Sequence, residues 1–455
     1  MRARRGIVTF PLLAGPLFAA MLLFAGCATY SDSFSVIEND MAAQRFEAAL
    51  QELERQRHPA RDQVVYLLNK AMLERMKGDF TVSNRTFEAA KSRMEELYGL
   101  SLREQALSVV VNDATRSYAG EEFERVLVHL YIALNYLQLG DLTNARVEAL
   151  QVDERLREIT QKLPQNRYTE DALARYLTGM IYEERGEYSD AMIAYRKAYE
   201  AYREYRRKYF VDIPDTLKRD LLRLAQQMGL TGEMQQYQNE FHITHWMSTA
   251  ELAQQGELVF LLHDGLAPIK REHAVTVVDP ASGHLVRIAV PYYETRPTPV
   301  NRVRVMAGSS VASAEVAEDI SAIAFKDLET KMPAITARAL ARAVLKAQMA
   351  KAARENARQQ NQNNAGAAVA AMAVEIAGVV TERADTRSWL TLPARIHLAR
   401  LPLPPGTYTV KVDLLGDDGQ IVNTQEYANM VIRRGAKTWL SPHWIPPYVP
   451  TRRSR

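Results

Sequence analysis

The chain has 455 residues, a formal charge of +3, 47% hydrophobic residues and one cysteine, Cys27. A single cysteine excludes an intrachain disulfide, and the near-neutral charge removes the electrostatic case for nucleic acid as a partner. At this length and apolar content, two or three packed domains are expected.

Residues 1–26 read as an export signal. Basic MRARR precedes the apolar run GIVTFPLLAGPLFAAMLLF, which is broken by Pro11, Gly15 and Pro16, and then come Ala25 and Gly26. These breaks suit a cleaved peptide better than a permanent span. Small residues directly ahead of Cys27 resemble the bacterial lipobox, in which cleavage precedes the cysteine and its sulfur carries lipid; Phe24 stands where that motif prefers leucine. No second cysteine exists to resolve an oxidised one, which argues against redox chemistry at Cys27. By resemblance to lipoprotein sorting, Ala28 in place of aspartate points to the outer membrane, periplasm-facing, with diacylglycerol and palmitate on Cys27. Residues 27–33 then form a lipid tether. Removing 1–26 takes away Arg2, Arg4 and Arg5 and no acid, so 54 cations remain against 54 acids.

Residues 34–245 read as a tetratricopeptide-like helical repeat domain, an α-solenoid. In ARYLTGMIYEERGEYSDAMIAYRKAYEAY, Gly179 and Tyr182 lie on a first helix and Gly186 makes the turn. Ala191, Tyr195 and Ala198 follow on a second helix. Gly179 and Ala191 let the two helices approach, and the tyrosines fill the space around them. HLYIALNYLQLGDLTNARVEALQ repeats the offsets with Ala133, Tyr136, Gly140, Ala145 and Ala149, and a weaker unit is centred on Gly78. Residues 41–56 read as the second helix of a preceding partial unit, and DTLKRDLLRLAQQMGLTGEMQQYQNEF as a closing hairpin. Such arrays present a concave face to a peptide or another protein.

After Trp246 the periodicity changes. ELVFLLHDG is a buried strand ending in a turn, HAVTVVDPASGHLVRIAVPYY two strands, and NRVRVMAG an alternating one. Residues 246–310 are thus the first part of a β region. Residues 311–384 read as a helical insertion, and 385–455 as the second part of the β region with a basic tail. The fold class is α+β, an α-solenoid followed by a β-sandwich-like domain with a helical insertion.

Within the insertion, residues 331–358 hold seven basic residues and only Glu355, a local +6. Arg338, Arg342 and Lys346 make one stripe and are candidate partner contacts. The run 365–380, AGAAVAAMAVEIAGVV, spans about 24 Å as a helix, short of a bilayer core of about 30 Å. It reads as half of a buried hairpin, or as a helix against anionic lipid or a partner.

Catalytic, phosphate-loop, dinucleotide and zinc-protease motifs are absent from the sequence, so no enzyme, no cofactor and no metal site is expected. His242 and His245 lack a third ligand. Asp385, Arg387 and Trp389 in ERADTRSWLTLPARI form the densest polar cluster, read either as a partner grip or as an internal ion pair beside a packed indole. Trp389, Trp444 and Tyr448 are candidates for stacking on a sugar.

The lipobox, YAGEEFERVLVHLYIALNYLQLGD, GELVFLLHDGLAPIKRE and ADTRSWLTLPARI together resemble a poorly characterised family of bacterial outer-membrane lipoproteins with tetratricopeptide-like repeats and a C-terminal β region. The layout is also similar to outer-membrane lipoproteins that activate peptidoglycan synthases. The resemblance implies location and architecture and no activity. The functional expectation is a lipid-anchored envelope scaffold that binds proteins through its repeats. The alternative is a lipoprotein whose β domain binds peptidoglycan or lipopolysaccharide.

Overall fold

The computed structural model describes residues 30–104, 113–162, 170–278, 285–360 and 382–447. The signal, Cys27, the run 365–380, Tyr448 and the basic tail lie outside the described residues.

Among the described residues, five antiparallel helix hairpins build the N-terminal half. They pair α1 (Ser35–Ala42) with α2 (Phe46–Arg55), α3 (Gln63–Met76) with α4 (Phe80–Glu104), and α5 (Glu122–Gln138) with α6 (Leu142–Lys162). They continue with α7 (Ala172–Glu184) and α8 (Tyr188–Tyr209), then α9 (Asp215–Gln227) and α10 (Thr231–Phe241). Each hairpin turns on one residue in the left-handed region: Gln44, Gly78, Gly140, Gly186 or Gly229. Two amide donors then reach back to the last helical turn, as in Gly78 N to Arg75 O and Asp79 N to Glu74 O, both 2.9 Å. This is the Schellman closure, which satisfies carbonyls that the helix end leaves open. The expected helix over 41–56 is corrected here. Gln44 at φ 56° splits it, and without a glycine the turn carried no signal.

The repeat-packing residues do what their spacing implies. A Cβ on Gly179 would sit 2.3 Å from the Tyr195 ring, and Tyr182, Ala191, Tyr195, Ala198, Ala133 and Ala145 are buried while Tyr136 packs at the margin. Gly140 serves the turn. Tyr195 cannot retreat, because its hydroxyl donates to Glu183 at 2.6 Å. Gly179→Ala is expected to cost about 1–3 kcal/mol through overpacking, read as a lowered urea midpoint with an unchanged slope.

The packed chain begins earlier than the expected tether allows. Tyr30 packs against the core and accepts a hydrogen bond from Asn69, and Ser31 is buried. A tether reaching Ser33 is therefore corrected.

Beyond the short helix α11 (Thr249–Leu252) come β1 (Gly256–Asp264), β2 (Ile269–Val278), β3 (Leu285–Glu294), β4 (Arg302–Ala307) and β5 (Ser310–Asp319). The long helix α12 (Ile320–Gln360) follows, then β6 (Arg395–Leu403), β7 (Gly406–Leu415), β8 (Ile421–Ile432), β9 (Lys437–Leu440) and β10 (His443–Trp444). The insertion thus starts at Ile320, and 310–319 is strand. SVASAEVAED lacks strand-typical composition, but pairing with β4 on one side and β6 on the other overrides its local preference.

Eight strands make one mixed sheet in the order β10-β1-β6-β5-β4-β7-β8, with β9 also on the outer edge of β1. Among the described residues only β9 and β10 pair in parallel. The sheet curls until side chains of β1 and β6 meet those of β4 and β7 in one core around Phe260, Leu401, Val305 and Val412. The sandwich-like core is therefore enclosed by a single sheet. β2 and β3 form a separate two-stranded ribbon. Among the described residues no helix is long and apolar enough to cross a membrane.

The array and the sheet share a core. Every residue of α5 from Glu122 to Asn135 and of α7 from Ala172 to Glu183 is buried. A helix covered all round needs a neighbour on each side. Here β1, β5, β6 and β9 supply it, with Val259, Leu261, Ala317, Leu398 and Trp439 in the same cluster as the helices.

Candidate functional site

The face lined by the first helices of each pair, where a peptide was expected to lie, is filled by the chain's own sheet. Two buried polar networks fasten the contact, and both rest on residues far apart in sequence.

Arg400 of β6 anchors the first. Its Nε and one terminal nitrogen donate to the Glu257 carboxylate on β1 at 2.8 and 2.7 Å, and its other terminal nitrogen reaches Asp220 of α9 and, at 3.0 Å, the hydroxyl of Tyr176 on α7. Arg223 bridges Asp220 and Glu183, and Lys437 lies 3.8 Å from Glu183 and 3.9 Å from Glu257. Three acids thus face three bases. Burial opposes the charge on Glu183, but Arg223, Lys437 and Arg400 outweigh it and hold its carboxyl below the usual range. Arg400 was overlooked in sequence; the available signal was a charge inside the apolar strand IHLARLPL.

A cleft of about 260 Å³ opens beside this network, lined by Glu184, Arg185, Thr249, Gln255, Gly435 and Lys437 among others. Its carboxylates are already engaged. Glu184 accepts from the Lys437 amide at 3.0 Å and from the Trp439 indole at 3.4 Å. Arg185 turns to Glu187 at 2.8 Å.

The second network is the segment Glu382 to Ala394, which crosses from α12 over α5 and α3. Asp385 and Arg387 do pair, at 2.6 Å, and Arg387 also binds Asp62 at 3.0 Å and the carbonyls of Arg61 and Arg116. The Trp389 amide donates to Glu124 at 2.7 Å and the Thr391 amide to Asn69 at 3.0 Å. Beside them, Glu121 takes both Lys270 of β2 and Lys331 of α12. The polar cluster therefore grips the chain itself and is not a free partner contact.

The basic stripe is divided in the same way. Arg342 is buried and donates to Glu382 at 3.1 Å, and Lys346 reaches the same carboxylate at 2.8 Å. Arg338 is exposed. Trp389 and Trp444 are 1% and 2% exposed, so neither offers a ring to a sugar. The stacking expectation is corrected for both. His242 and His245 fall past the end of α10 on the surface and share no helical face.

Glu124 gives this region a pH signature. Burial first, then the neighbouring Glu121, pushes its carboxyl up to about 7. Between the unfolded carboxyl value and about 7 the folded protein holds a proton that the unfolded chain has released, so stability falls as pH rises through that window. The expected loss is about 3 kcal/mol between pH 4.5 and 8. Glu124→Gln should flatten that slope in urea unfolding series.

No family model matches the chain, and no curated protein matches it either. Among solved structures, "MamA AMB-1 P212121" is 14% identical, covering 47% of this chain and 91% of its own, at a TM-score of 0.28. "MamA MSR-1 C2" is 13% identical over 46% and 92% at 0.27, and "Crystal structure of MamA protein" 13% over 40% and 98% at 0.17. At these scores the likeness adds nothing to what the helix hairpins themselves establish.

Proposed function

We propose that this chain is a lipid-anchored envelope scaffold, held to the bacterial outer membrane through Cys27 and facing the periplasm, that binds other proteins through the outside of its helical array. The observation that carries the reading is the filled inner face. With the first helices buried under the sheet, docking passes to the second helices, which expose Val82 on α4, Val147 and Leu150 on α6 and Ile193 on α8. Phe210, directly after α8, is 90% exposed, a large ring suited to anchoring a partner. The export signal and the lipobox-like residues before Cys27 support the anchor. Tyr30 is already packed, so only Ala28 and Thr29 would stand between the acylated Cys27 and the folded body, a reach of about 11 Å when extended.

Photo-crosslinkers placed at Val147, Leu150 and Ile193 in living cells should trap discrete protein adducts. Cys27→Ala, which removes the acyl acceptor, should make the protein extractable from membranes by high salt and change the adduct pattern. Clean lanes from all three outer positions would remove the scaffold reading, and retention of Cys27→Ala on membranes washed in high salt would remove the anchor.

A further inference from the structure

The ribbon of β2 and β3 leaves the body as an arm with α12 along one face. On that face Ala289 is buried, and Tyr293 meets Phe325 of α12 edge-on at 5.7 Å between ring centroids. Strand side chains alternate. The opposite face therefore carries Val275 and Val277, in register with Ile288 and Val286. Val275 and Val277 are 48% and 46% exposed. Two-stranded ribbons are marginal in water, and an apolar face on one calls for a covering phase.

Charge identifies that phase. Residues 331–358 on α12 carry a formal +6 and the rest of the chain after residue 26 a formal −6. Lys331, Arg342 and Lys346 are answered by Glu121, Asp327 and Glu382, so the excess is the +3 of Arg338, Lys351, Arg354 and Arg358 against Glu355, toward the outer half. An anionic surface attracts the arm and repels the body. The root of the arm also lies at the start of the packed chain: Ile269 shares a core cluster with Phe34, Ile37 and Met41, and Arg296, two residues after β3, donates to Glu38 of α1 at 3.3 Å.

We infer that the outer half of this arm is a contact for an anionic lipid surface, with the ribbon valines entering the interfacial layer and the basic side chains of α12 meeting the headgroups. This deepens the lipid-anchored reading by adding a second attachment that needs no acyl chain. Its test uses no acyl chain, so the two stand or fall separately.

The chain from residue 27, carrying Cys27→Ser, is co-sedimented with vesicles of phosphatidylcholine alone or with one-third phosphatidylglycerol. The expected result is at least about tenfold tighter binding to the anionic vesicles, lost at high salt. Val275→Ser/Val277→Ser should weaken binding about tenfold. Arg338→Glu/Lys351→Glu, at exposed helix positions, should weaken it at least as much and stands as the second readout if the valine pair disturbs folding. Equal binding to both vesicle types, or no binding to either, overturns the inference. So does a concentration-dependent dimer that the valine changes abolish while vesicle binding persists, because the face would then belong to a second copy.

Discussion

Arg400→Leu is expected to lower stability by about 3–5 kcal/mol, the range found when one partner is removed from a buried ionic cluster. Among the described residues Arg400 is the only base hydrogen-bonded to Glu257, whose other cation, Lys437, stands at 3.9 Å. It is also the group that ties the sheet to α9 through Asp220 and to α7 through Tyr176. Leucine fills much of the volume but leaves two carboxylates in a site where burial penalises charge. Burial raises the Glu257 carboxyl, and Arg400 and Lys437 bring it back below the ordinary value. That depressed group stabilises the wild type above the unfolded carboxyl value and ceases to do so as pH falls. The deficit of the variant should therefore be widest at neutral pH and narrow below about pH 4.3. Urea titrations at pH 7 and 4 read both effects. Adding Glu257→Leu should recover part of the loss, because it removes the carboxylate that Arg400 bonded and leaves Asp220 and Glu183 facing Arg223 and Lys437, two acids against two bases. A single variant within 1 kcal/mol of wild type would show that the network fastens nothing.

Trp389→Ala should cost a similar amount, about 3–5 kcal/mol. The indole is wholly enclosed, with Phe87 of α4 and Tyr131 of α5 edge-on at 5.6 Å each. Its ring nitrogen donates to Thr391 at 3.0 Å, and Thr391 in turn bonds Asn69 of α3. Truncation empties the space between two hairpins and loosens the strap that crosses them. Hydrogen exchange offers a separate reading. The amides of Trp389 and Thr391, held by Glu124 and Asn69, should exchange markedly faster in the variant, while those of β7 and β8 keep their protection. Trp389→Phe should retain over half of the stability by keeping the ring contacts. Uniform loss of protection across the molecule would instead mean that the strap and the sheet open as one unit.

These two variants probe the property that most shapes the functional reading. An open repeat array offers its inner groove, whereas this one closes the groove with a covalently linked sheet and polar clusters of matched charge. What remains available to partners is the outside of the array, the arm, and the surface near the start of the packed chain.

Much of this was written locally. Four of the five hairpin turns are marked by a glycine, since only a residue free of the Cβ clash adopts the left-handed conformation easily. The continuous apolar run of β1 signalled a strand buried on both faces, and the alternating run of β4 signalled a strand with one covered face. The close approach at Gly179 followed from small residues at matching offsets. These are features set within one or two turns of chain.

The remainder depended on residues brought together over long separations. Nothing near Arg400 in sequence announces Asp220 or Glu257, and nothing near Glu121 announces Lys270 or Lys331. The strand character of 310–319 came from its neighbours and not from its own composition. The burial of Trp389 and Trp444 came from which surfaces met, since an indole between polar residues reads the same whether it is packed or exposed. The sequence by itself determined the helical repeats, the β region and the charge imbalance between arm and body, because periodicity and composition are local. Only the tertiary structure decided that the array's inner face is closed, because that depends on where a sheet that begins only after the array ends folds back.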